Sequence, residues 1–306
     1  MDQLLQTWGI DFIVWVQSFA NPLLDRFFLA ITWLGTIYGY LVLLPLIYWS
    51  INRSAGRRLF FLVMTSVLVS AFFKNLFRVP RPDPSLVRQP EPETSFSFPS
   101  DHAQTGGVVF WGFLASRVRR GWFTAVAVVM AFLLGFSRIY LGVHRPQEVV
   151  AGWLIGLALL WLFLRWEPRL VQRWQRLGLG PQVAVAVLLP LLPLFLVPSD
   201  ENGHYPAEVA GRVAGILIGG GLGSILESRT VRFRSDGAWW RRLLRYALGM
   251  PLVLAVFLAG SAVPDLSPWA LDTAVRVLRY AVLGLVAFWL APWLFVKLRL
   301  ADAEKT

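Results

Sequence analysis

The sequence predicts an all-α protein, a polytopic transmembrane helical bundle with about nine spans. Of its 306 residues, 56% are hydrophobic and only 15% are charged, whereas about 25% of an ordinary soluble domain is charged. Fifteen Trp and 22 Phe would leave a soluble domain with more exposed apolar surface than water tolerates. Apolar stretches of about 20 residues, the length that crosses hydrocarbon as a helix, recur along the chain. The bilayer is therefore the predicted solvent.

The predicted elements follow in chain order. Gln3 to Phe19 mixes polar and aromatic residues at helical spacing, so residues 1–31 are predicted to lie along the membrane interface. Each later apolar stretch is a predicted span, because a helix satisfies its own backbone hydrogen bonds in lipid. The nine spans lie at about residues 32–51, 57–77, 100–117, 121–141, 146–165, 181–198, 206–227, 243–263 and 274–297.

The basic residues predict the orientation of these spans. The chain carries a net charge of +11, but its Lys and Arg form short clusters after every second span, which argues against a nucleic-acid partner. Short cytoplasmic loops carry such an excess. The other loops, at residues 78–99, 142–145, 199–205 and 264–273, are therefore predicted to lie on the non-cytoplasmic side.

Three polar segments lie near this outer side, and the first and third of them carry basic residues against the charge trend. They are KNLFRVPRP from Lys74, FPSDH from Phe98, and SRIYLGVHRPQE from Ser137. Arg81 and Arg138 can each hold phosphate oxygens through two N–H groups, and Lys74 adds a point charge. The predicted ligand is therefore a phosphate.

Two of these segments also suit catalysis. Pro99-Ser100 is predicted to open a helix whose N-terminus faces the anion, with the Ser100 hydroxyl as its N-cap. His144 precedes Pro146, a favoured first helical residue, and this places Glu148 where its side chain can fold back. A carboxylate at one ring nitrogen of a histidine holds the other ring nitrogen as a nucleophile.

In this order, the three segments resemble the signature of the type 2 phosphatidic acid phosphatase family, the lipid phosphate phosphatases, over about residues 60–165. The resemblance implies that His144 attacks phosphorus to form a phosphohistidine. It further implies that His102 protonates the departing oxygen and then activates water, while Glu148 orients His144. The phosphoryl oxygens would be held by Lys74, Arg81, Ser100 and Arg138.

The resemblance also divides the chain. Residues 32–178 would form the phosphatidic-acid-phosphatase-like catalytic core, and residues 179–306 would add C-terminal membrane helices of unassigned role. No metal or other cofactor is expected, because the fixed cations supply the charge stabilisation that Mg²⁺ gives elsewhere.

Two positions depart from the family pattern. Asp101 stands where the family has Gly between Ser and His, and Glu148 stands where it has Asp. Because a carboxylate turned inward would repel a phosphate, the Asp101 side chain is expected to face away from the ligand. Glu148 is one methylene longer than Asp and still reaches His144.

Further residues are candidate accessories. Arg78 and Arg88 lie near the first segment, and Arg88 would suit a second phosphate. Residues 83–98 are too polar to enter lipid, and this segment is a candidate lid over the site. Any one of these basic residues, taken alone, is more simply explained as reaching lipid head groups. Only the ordered combination of segments predicts a site.

The C-terminal part echoes the catalytic motif. His204, Pro206 and Glu208 repeat the spacing of the third segment, so His204 is a candidate wall of the site or part of a second one, although ordinary helix-start chemistry explains the pattern more simply. Gly211, Gly215, Gly219 and Gly223 form a smooth helical face within residues 206–227. This face could pack against the catalytic core or form an oligomer with a second copy.

The function predicted from the sequence is a metal-independent phosphohydrolase acting on a phosphorylated membrane lipid. Candidate substrates are undecaprenyl pyrophosphate, phosphatidylglycerol phosphate and phosphatidic acid. The size and the absence of Cys suggest a bacterial inner membrane, with the site on the periplasmic or extracellular side. One alternative is a lipid transporter or scramblase that binds anionic head groups, which predicts mid-membrane carboxylates and broken helices. Another is a lipid phosphotransferase of the same family.

Overall fold

The structure is a computed structural model that describes the backbone of residues 3–304 and the side chains from residue 7 onward. It confirms the all-α fold. Between residues 3 and 304 there is no strand, only one isolated bridge between Phe233 and Ala303. The helices are α1 Gln3–Gln17, α2 Pro22–Trp33, α3 Ile37–Leu46, α4 Arg53–Phe77, α5 Gly112–Val118, α6 Gly121–Tyr140, α7 Pro146–Arg176, α8 Leu179–Leu188, α9 Pro193–Leu196, α10 Glu208–Thr230, α11 Trp239–Ser261, α12 Trp269–Leu285 and α13 Ala291–Lys297.

Three wider π-helical segments continue these helices. They are Ile47–Ile51 after α3, His102–Trp111 before α5, and Val286–Leu290 between α12 and α13. π-helical turns are rare and occur frequently at functional sites. The segment His102–Trp111 is the one that begins at a predicted catalytic residue.

The number of helices able to cross a membrane is smaller than predicted. Within the described residues, seven helices are long and apolar enough, or eight if the bent pair Pro22–Trp33 and Ile37–Ile51 forms one span. The predicted span at 100–117 is missing from this set. It forms ten π-helical residues followed by the seven residues of α5, and neither piece alone has the length of about 20 residues that crosses hydrocarbon.

The chain divides into two compact units. The first comprises Met1–Tyr40 and Thr65–Glu167. Its core joins α1 and α2 to the end of α6 and the start of α7, through buried Ile13, Phe28, Tyr140 and Val149. One face of α1 is therefore packed into protein, while its Trp8 and Trp15 are exposed. The predicted helix in the N-terminal segment is present, and its place at a membrane interface stays a prediction.

The second unit comprises Leu41–Met64 and Pro168–Thr306. Its α10 lies against α12 along the predicted glycine face. A Cβ added at Gly215 would come within 2.3 Å of the Val277 carbonyl oxygen, and one at Gly219 would clash with the backbone of Ala281. The glycine face is therefore covered by α12 of the same chain, and the predicted contact of this face with a second copy has no support.

Candidate active site

The three predicted segments meet in the first unit. Lys74, buried at the end of α4, places its Nζ 3.2 Å from Ser95 Oγ and 3.6 Å from Asp101 Oδ1. Arg81 donates from Nη2 to the same Ser95 hydroxyl at 2.9 Å and lies with Nη1 2.9 Å from His144 Nε2. Contacts through Lys74, Ser95 and Arg81 therefore connect the segment that carries Asp101 with the one that carries His144.

His144 is fully buried in the connection between α6 and α7. Its backbone N–H donates to the Arg138 carbonyl oxygen at 3.2 Å, and its Nδ1 lies 3.2 Å from Glu148 Oε2. An arginine can only donate, so the contact with Arg81 assigns Nε2 as the acceptor and places the ring proton on Nδ1, toward Glu148. The unprotonated Nε2 thus lies beside Arg81, one of the cations predicted to bind phosphate.

The charge state of His144 follows from this position. Burial lowers the pKa of His144 well below its usual value, and Arg81, Lys74 and Arg138 lower it further. A neutral imidazole is the form that can act as a nucleophile. The site therefore keeps this ring in its reactive form at neutral pH.

Glu148 is held by two residues that the sequence did not suggest. Its Oε2 accepts from the backbone N–H of Arg145 at 2.9 Å and from Ser97 Oγ at 2.5 Å. Its Oε1 lies 2.9 Å from Arg145 Nη1. The backbone contact is the fold-back that the position of Glu148 predicts. Nothing in the residue pattern pointed to Ser97, which lies alone in a loop.

The surroundings of His102 correct one expectation. Asp101 does not face away from the site, because its Oδ1 lies 3.6 Å from Lys74 Nζ and 3.3 Å from His102 Nδ1. Lys74 and the His102 ring lie close enough to stabilise this carboxylate, which the sequence analysis expected to turn away because it would repel a phosphate. His102 Nε2 is buried and makes no hydrogen bond within the described part of the chain. That nitrogen is therefore available to a ligand.

Ser100 is placed as predicted but is not the predicted N-cap. The side chain of Asp101 caps the π-helical segment by accepting from the His102 N–H at 3.0 Å. The Ser100 hydroxyl is buried and makes no hydrogen bond to the residues that the structure describes. Its backbone N–H donates to the Glu148 carbonyl oxygen at 3.1 Å, which fixes it beside the start of α7.

An acidic residue that the sequence did not suggest also enters the cation cluster. Glu93 places Oε2 2.6 Å from Arg81 Nη2, and its Oε1 contacts Arg138 Nη2. Arg138 is almost fully buried and also donates from Nη1 to Thr32 Oγ1 at 2.5 Å. The segment 83–98, predicted to cover the site, therefore reaches the two arginines predicted to bind phosphate through the carboxylate of Glu93.

The other candidate accessories have different partners. Arg88 pairs with Asp25 at 2.6 Å. Arg78 donates from Nε to the Asn75 carbonyl oxygen. His204 belongs to the second unit, where its ring stacks on Trp269 with centroids 3.9 Å apart. None of these contacts involves the residues around His144.

Comparison with known proteins gives matches over most of the chain. A profile described as PAP2 superfamily matches residues 55–172, which include every predicted catalytic and phosphate-binding residue. A profile described as PAP2 superfamily phosphatase, transmembrane extension, matches residues 211–304. The C-terminal helices to which the sequence assigned no role therefore match an extension found with such phosphatases.

Individual relatives are named as lipid phosphatases. A probable sphingosine-1-phosphate phosphatase of Dictyostelium discoideum is 26% identical over 236 residues, which cover 71% of this chain and 56% of that protein. An undecaprenyl-diphosphatase of Sulfolobus acidocaldarius is 31% identical over 112 residues, covering 34% of this chain and 52% of that one. The crystal structure of a transmembrane PAP2 type phosphatidylglycerolphosphate phosphatase from Bacillus subtilis matches with a TM-score of 0.48 and 24% identity, covering 55% of this chain and 88% of that chain.

The relatives differ from this chain in length and come from different kinds of organism. The chain spans about half the length of the curated relatives it matches. Eukaryotic proteins from Dictyostelium discoideum, Arabidopsis thaliana and Mus musculus are among them. The similarity therefore does not restrict the chain to bacteria.

Proposed function

Because the chain belongs to the PAP2 superfamily, we propose that it is a membrane phosphatase that removes a phosphate from a lipid phosphate or pyrophosphate through a phosphohistidine intermediate. One observation carries this proposal. His144 is buried and neutral, with Nδ1 toward Glu148 and Nε2 at a cluster formed by Lys74, Arg81 and Arg138. A nucleophile, an orienting carboxylate and an anion site are thus joined in one unit.

In the first step, the phosphoryl group binds the cation cluster and Arg81 turns from His144 Nε2 to the phosphoryl oxygens. The Nε2 lone pair forms a bond to phosphorus, and the bond from phosphorus to the leaving oxygen breaks. The leaving oxygen takes a proton from His102 Nε2. Glu148 stabilises the positive charge that develops on the His144 ring, in the manner of a triad carboxylate.

In the second step, His102 accepts a proton from a water molecule whose oxygen attacks phosphorus. The bond between phosphorus and Nε2 of His144 breaks, the ring regains its lone pair, and inorganic phosphate leaves. His102 is then protonated again for the next cycle. The contact between Asp101 and His102 Nδ1 at 3.3 Å orients the ring so that Nε2 performs both transfers.

The cation cluster supplies the electrostatic stabilisation. Lys74, Arg81 and Arg138 place three positive charges around the site, and the buried Ser100 hydroxyl adds a donor. In other phosphoryl-transfer enzymes a bound Mg²⁺ neutralises the charge that develops on the equatorial oxygens. We propose that these residues do so here, which makes the reaction independent of metal.

The proposed substrate is a lipid with a terminal phosphate or diphosphate. Undecaprenyl pyrophosphate, phosphatidylglycerol phosphate, phosphatidic acid and sphingoid phosphates share this chemistry, and the relatives are named for several of them. The lipid tail stays in the bilayer while the head group reaches the cluster. The predicted site lies on the non-cytoplasmic side.

The decisive experiment is a phosphate-release assay on the purified full chain across these four lipids, with EDTA present. Wild type should release inorganic phosphate, and His144→Ala and His102→Ala should each lower the rate at least about a thousandfold. His204→Ala removes the third histidine of the chain and is the matched control. Activity of His144→Ala equal to wild type would eliminate the proposal.

The intermediate has its own test. A substrate labelled in the terminal phosphate should transfer the label to His144, and the bond should be labile in acid and stable in base. Wild type that turns over without labelling His144 would support direct attack by water instead. Phosphate found on a lipid acceptor rather than free in solution would identify the chain as a phosphotransferase.

A further inference from the structure

Glu93 occupies the place where the proposed function puts a phosphoryl group. Its two carboxylate oxygens lie between two guanidinium groups, with Oε2 2.6 Å from Arg81 Nη2 and Oε1 in contact with Arg138 Nη2. Two oxygens of a phosphoryl group would bridge the same pair in the same way. A bound phosphate and the Glu93 carboxylate therefore compete for one position.

The neighbouring residues strengthen this arrangement. Ser95, two residues after Glu93, accepts from Lys74 Nζ at 3.2 Å and from Arg81 Nη2 at 2.9 Å through its hydroxyl. Its carbonyl oxygen accepts from Arg81 Nε at 2.7 Å. The segment from Glu93 to Ser95 thus engages all three cations of the cluster.

The exposure of these groups shows which of them can move. The Glu93 side chain is 26% exposed, whereas that of Arg138 is only 2% exposed. Glu93 belongs to a loop that no helix contains, while Arg138 lies within α6. An incoming anion can therefore displace the carboxylate into water while the arginine stays in place.

We propose that Glu93 sets a charge threshold for binding, so that the site takes a terminal phosphate with two or more negative charges and rejects a phosphodiester. The inference rests on the proposed function and defines the substrate class of the same site. A phosphodiester carries one negative charge, as the carboxylate does, and gains nothing over it at the two arginines. A phosphate monoester or a pyrophosphate carries more charge and displaces Glu93.

This threshold would solve a problem that a membrane enzyme faces. Most of the phosphate in a lipid surface is in diester head groups, which surround the site at far higher concentration than any one phosphorylated substrate. Without the Glu93 carboxylate, the three cations would bind these diesters, and the bound diesters would block the site. The carboxylate of Glu93 keeps the cluster closed to them.

The test measures binding rather than turnover. Purified full chain in detergent is titrated with inorganic phosphate and with dimethyl phosphate, for wild type, Glu93→Gln and Asp83→Asn. Asp83 lies in the same loop and is exposed, and its carboxylate is hydrogen-bonded by neighbouring Ser85 and not by the cation cluster in the contacts described, so it is the matched charge control. Wild type and Asp83→Asn should bind phosphate and show at least about tenfold weaker binding of dimethyl phosphate.

In Glu93→Gln, both anions should bind at least about tenfold more tightly than in wild type, with the larger gain for dimethyl phosphate. Equal preference for the two anions in wild type would overturn the proposal, and this result needs no variant to fold. An unchanged ratio in a folded Glu93→Gln protein would overturn it as well.

The same samples separate this inference from the proposed function. A wild type that binds phosphate selectively but hydrolyses no lipid phosphate would reject the phosphatase and leave the charge threshold supported. A wild type that hydrolyses lipid phosphates but is inhibited equally by dimethyl phosphate and by inorganic phosphate would support the phosphatase and reject the charge threshold.

Discussion

At the scale of single residues, the three cations affect the protonation of His144, the proposed nucleophile, as well as the proposed binding of phosphate. Full burial disfavours the charged ring, and Arg81, Lys74 and Arg138 oppose a further positive charge, so the pKa of His144 falls well below its usual value. The cluster that would bind phosphate therefore also keeps the attacking nitrogen unprotonated.

We predict that His144 remains reactive in mild acid. Because its pKa is lowered, the ring stays neutral as the pH falls through the ordinary histidine value of about 6.5, and only a lower pH protonates it. Arg81→Gln removes one cation, so the pKa of His144 should rise and its reactivity should be lost at a higher pH than in wild type. The rate of modification of His144 by diethyl pyrocarbonate, followed by mass spectrometry from about pH 5 to 8, measures both midpoints.

The cation variant also supplies the control for this prediction. A wild-type midpoint at or above about pH 6.5 would contradict it. Identical midpoints in wild type and Arg81→Gln would show that burial alone, without the cation, sets the protonation of the ring.

The residues that the sequence identified all stand in spaced motifs. Glu148 was recognisable because it follows a helix-starting proline, and its backbone contact to Arg145 has the expected form. Ser97 and Glu93 were not recognisable, because each reaches the site through the path of a loop that has no periodicity. The Asp101 side chain was expected to point away from the site, because the sequence does not show that Lys74 lies beside its carboxylate or that the His102 ring turns Nδ1 toward it.

At the scale of elements, the close approach of α7 to the Pro99-Ser100 segment depends on a glycine. A Cβ at Gly152 would lie 2.5 Å from the Ser100 carbonyl oxygen and 3.2 Å from the Ala103 side chain. The sequence predicted helices here, but it did not show that the segment beginning at His102 is π-helical. It also did not show that Gly152 of α7 is the point where α7 contacts this segment. Hydrophobic periodicity reports which face is apolar, not how near two backbones come.

We predict that Gly152→Ala impairs catalysis by displacing Ser100 and the start of the helix that carries His102. A clash of this kind costs about 1–3 kcal/mol of stability, and a shift of about 1 Å in a catalytic group can lower the rate about 100-fold. Thermal unfolding and kcat in the phosphate-release assay measure the two effects. Gly180→Ala is the matched control, because a Cβ at Gly180 in α8 meets nothing within 4 Å.

The contrast between the two alanines is the critical result. If Gly152→Ala matched Gly180→Ala in both unfolding temperature and kcat, the close approach would not position the site. A loss of stability without loss of kcat would assign Gly152 to packing alone.

At the scale of the whole molecule, the structure leaves one predicted span open, because the stretch 100–117 is not among the helices that are long and apolar enough to cross a membrane by themselves. The stretch 100–117 is apolar enough to be predicted as a span, yet it holds buried polar residues such as Gln104 and Thr105. Hydropathy does not distinguish apolar residues that face lipid from those that pack within protein. The basic residues that follow this stretch, Arg117, Arg119 and Arg120, still predict that it reaches the cytoplasmic side.

We predict that the stretch does cross, and the absence of Cys from the chain allows a direct test with single cysteines. Ser85→Cys and Gln175→Cys introduce thiols at exposed positions without changing the charge of any loop. His102–Val118, α6 and α7 lie between them, so three crossings place the two thiols on opposite sides and two crossings place them on the same side. In intact cells, a membrane-impermeant maleimide should label Ser85→Cys, and should label Gln175→Cys only after permeabilisation. Labelling of both thiols in intact cells would mean that the helix from His102 re-enters the outer side. The reverse pattern would mean that the candidate active site faces the cytoplasm, because residue 85 belongs to the loop that carries Glu93 into the cation cluster.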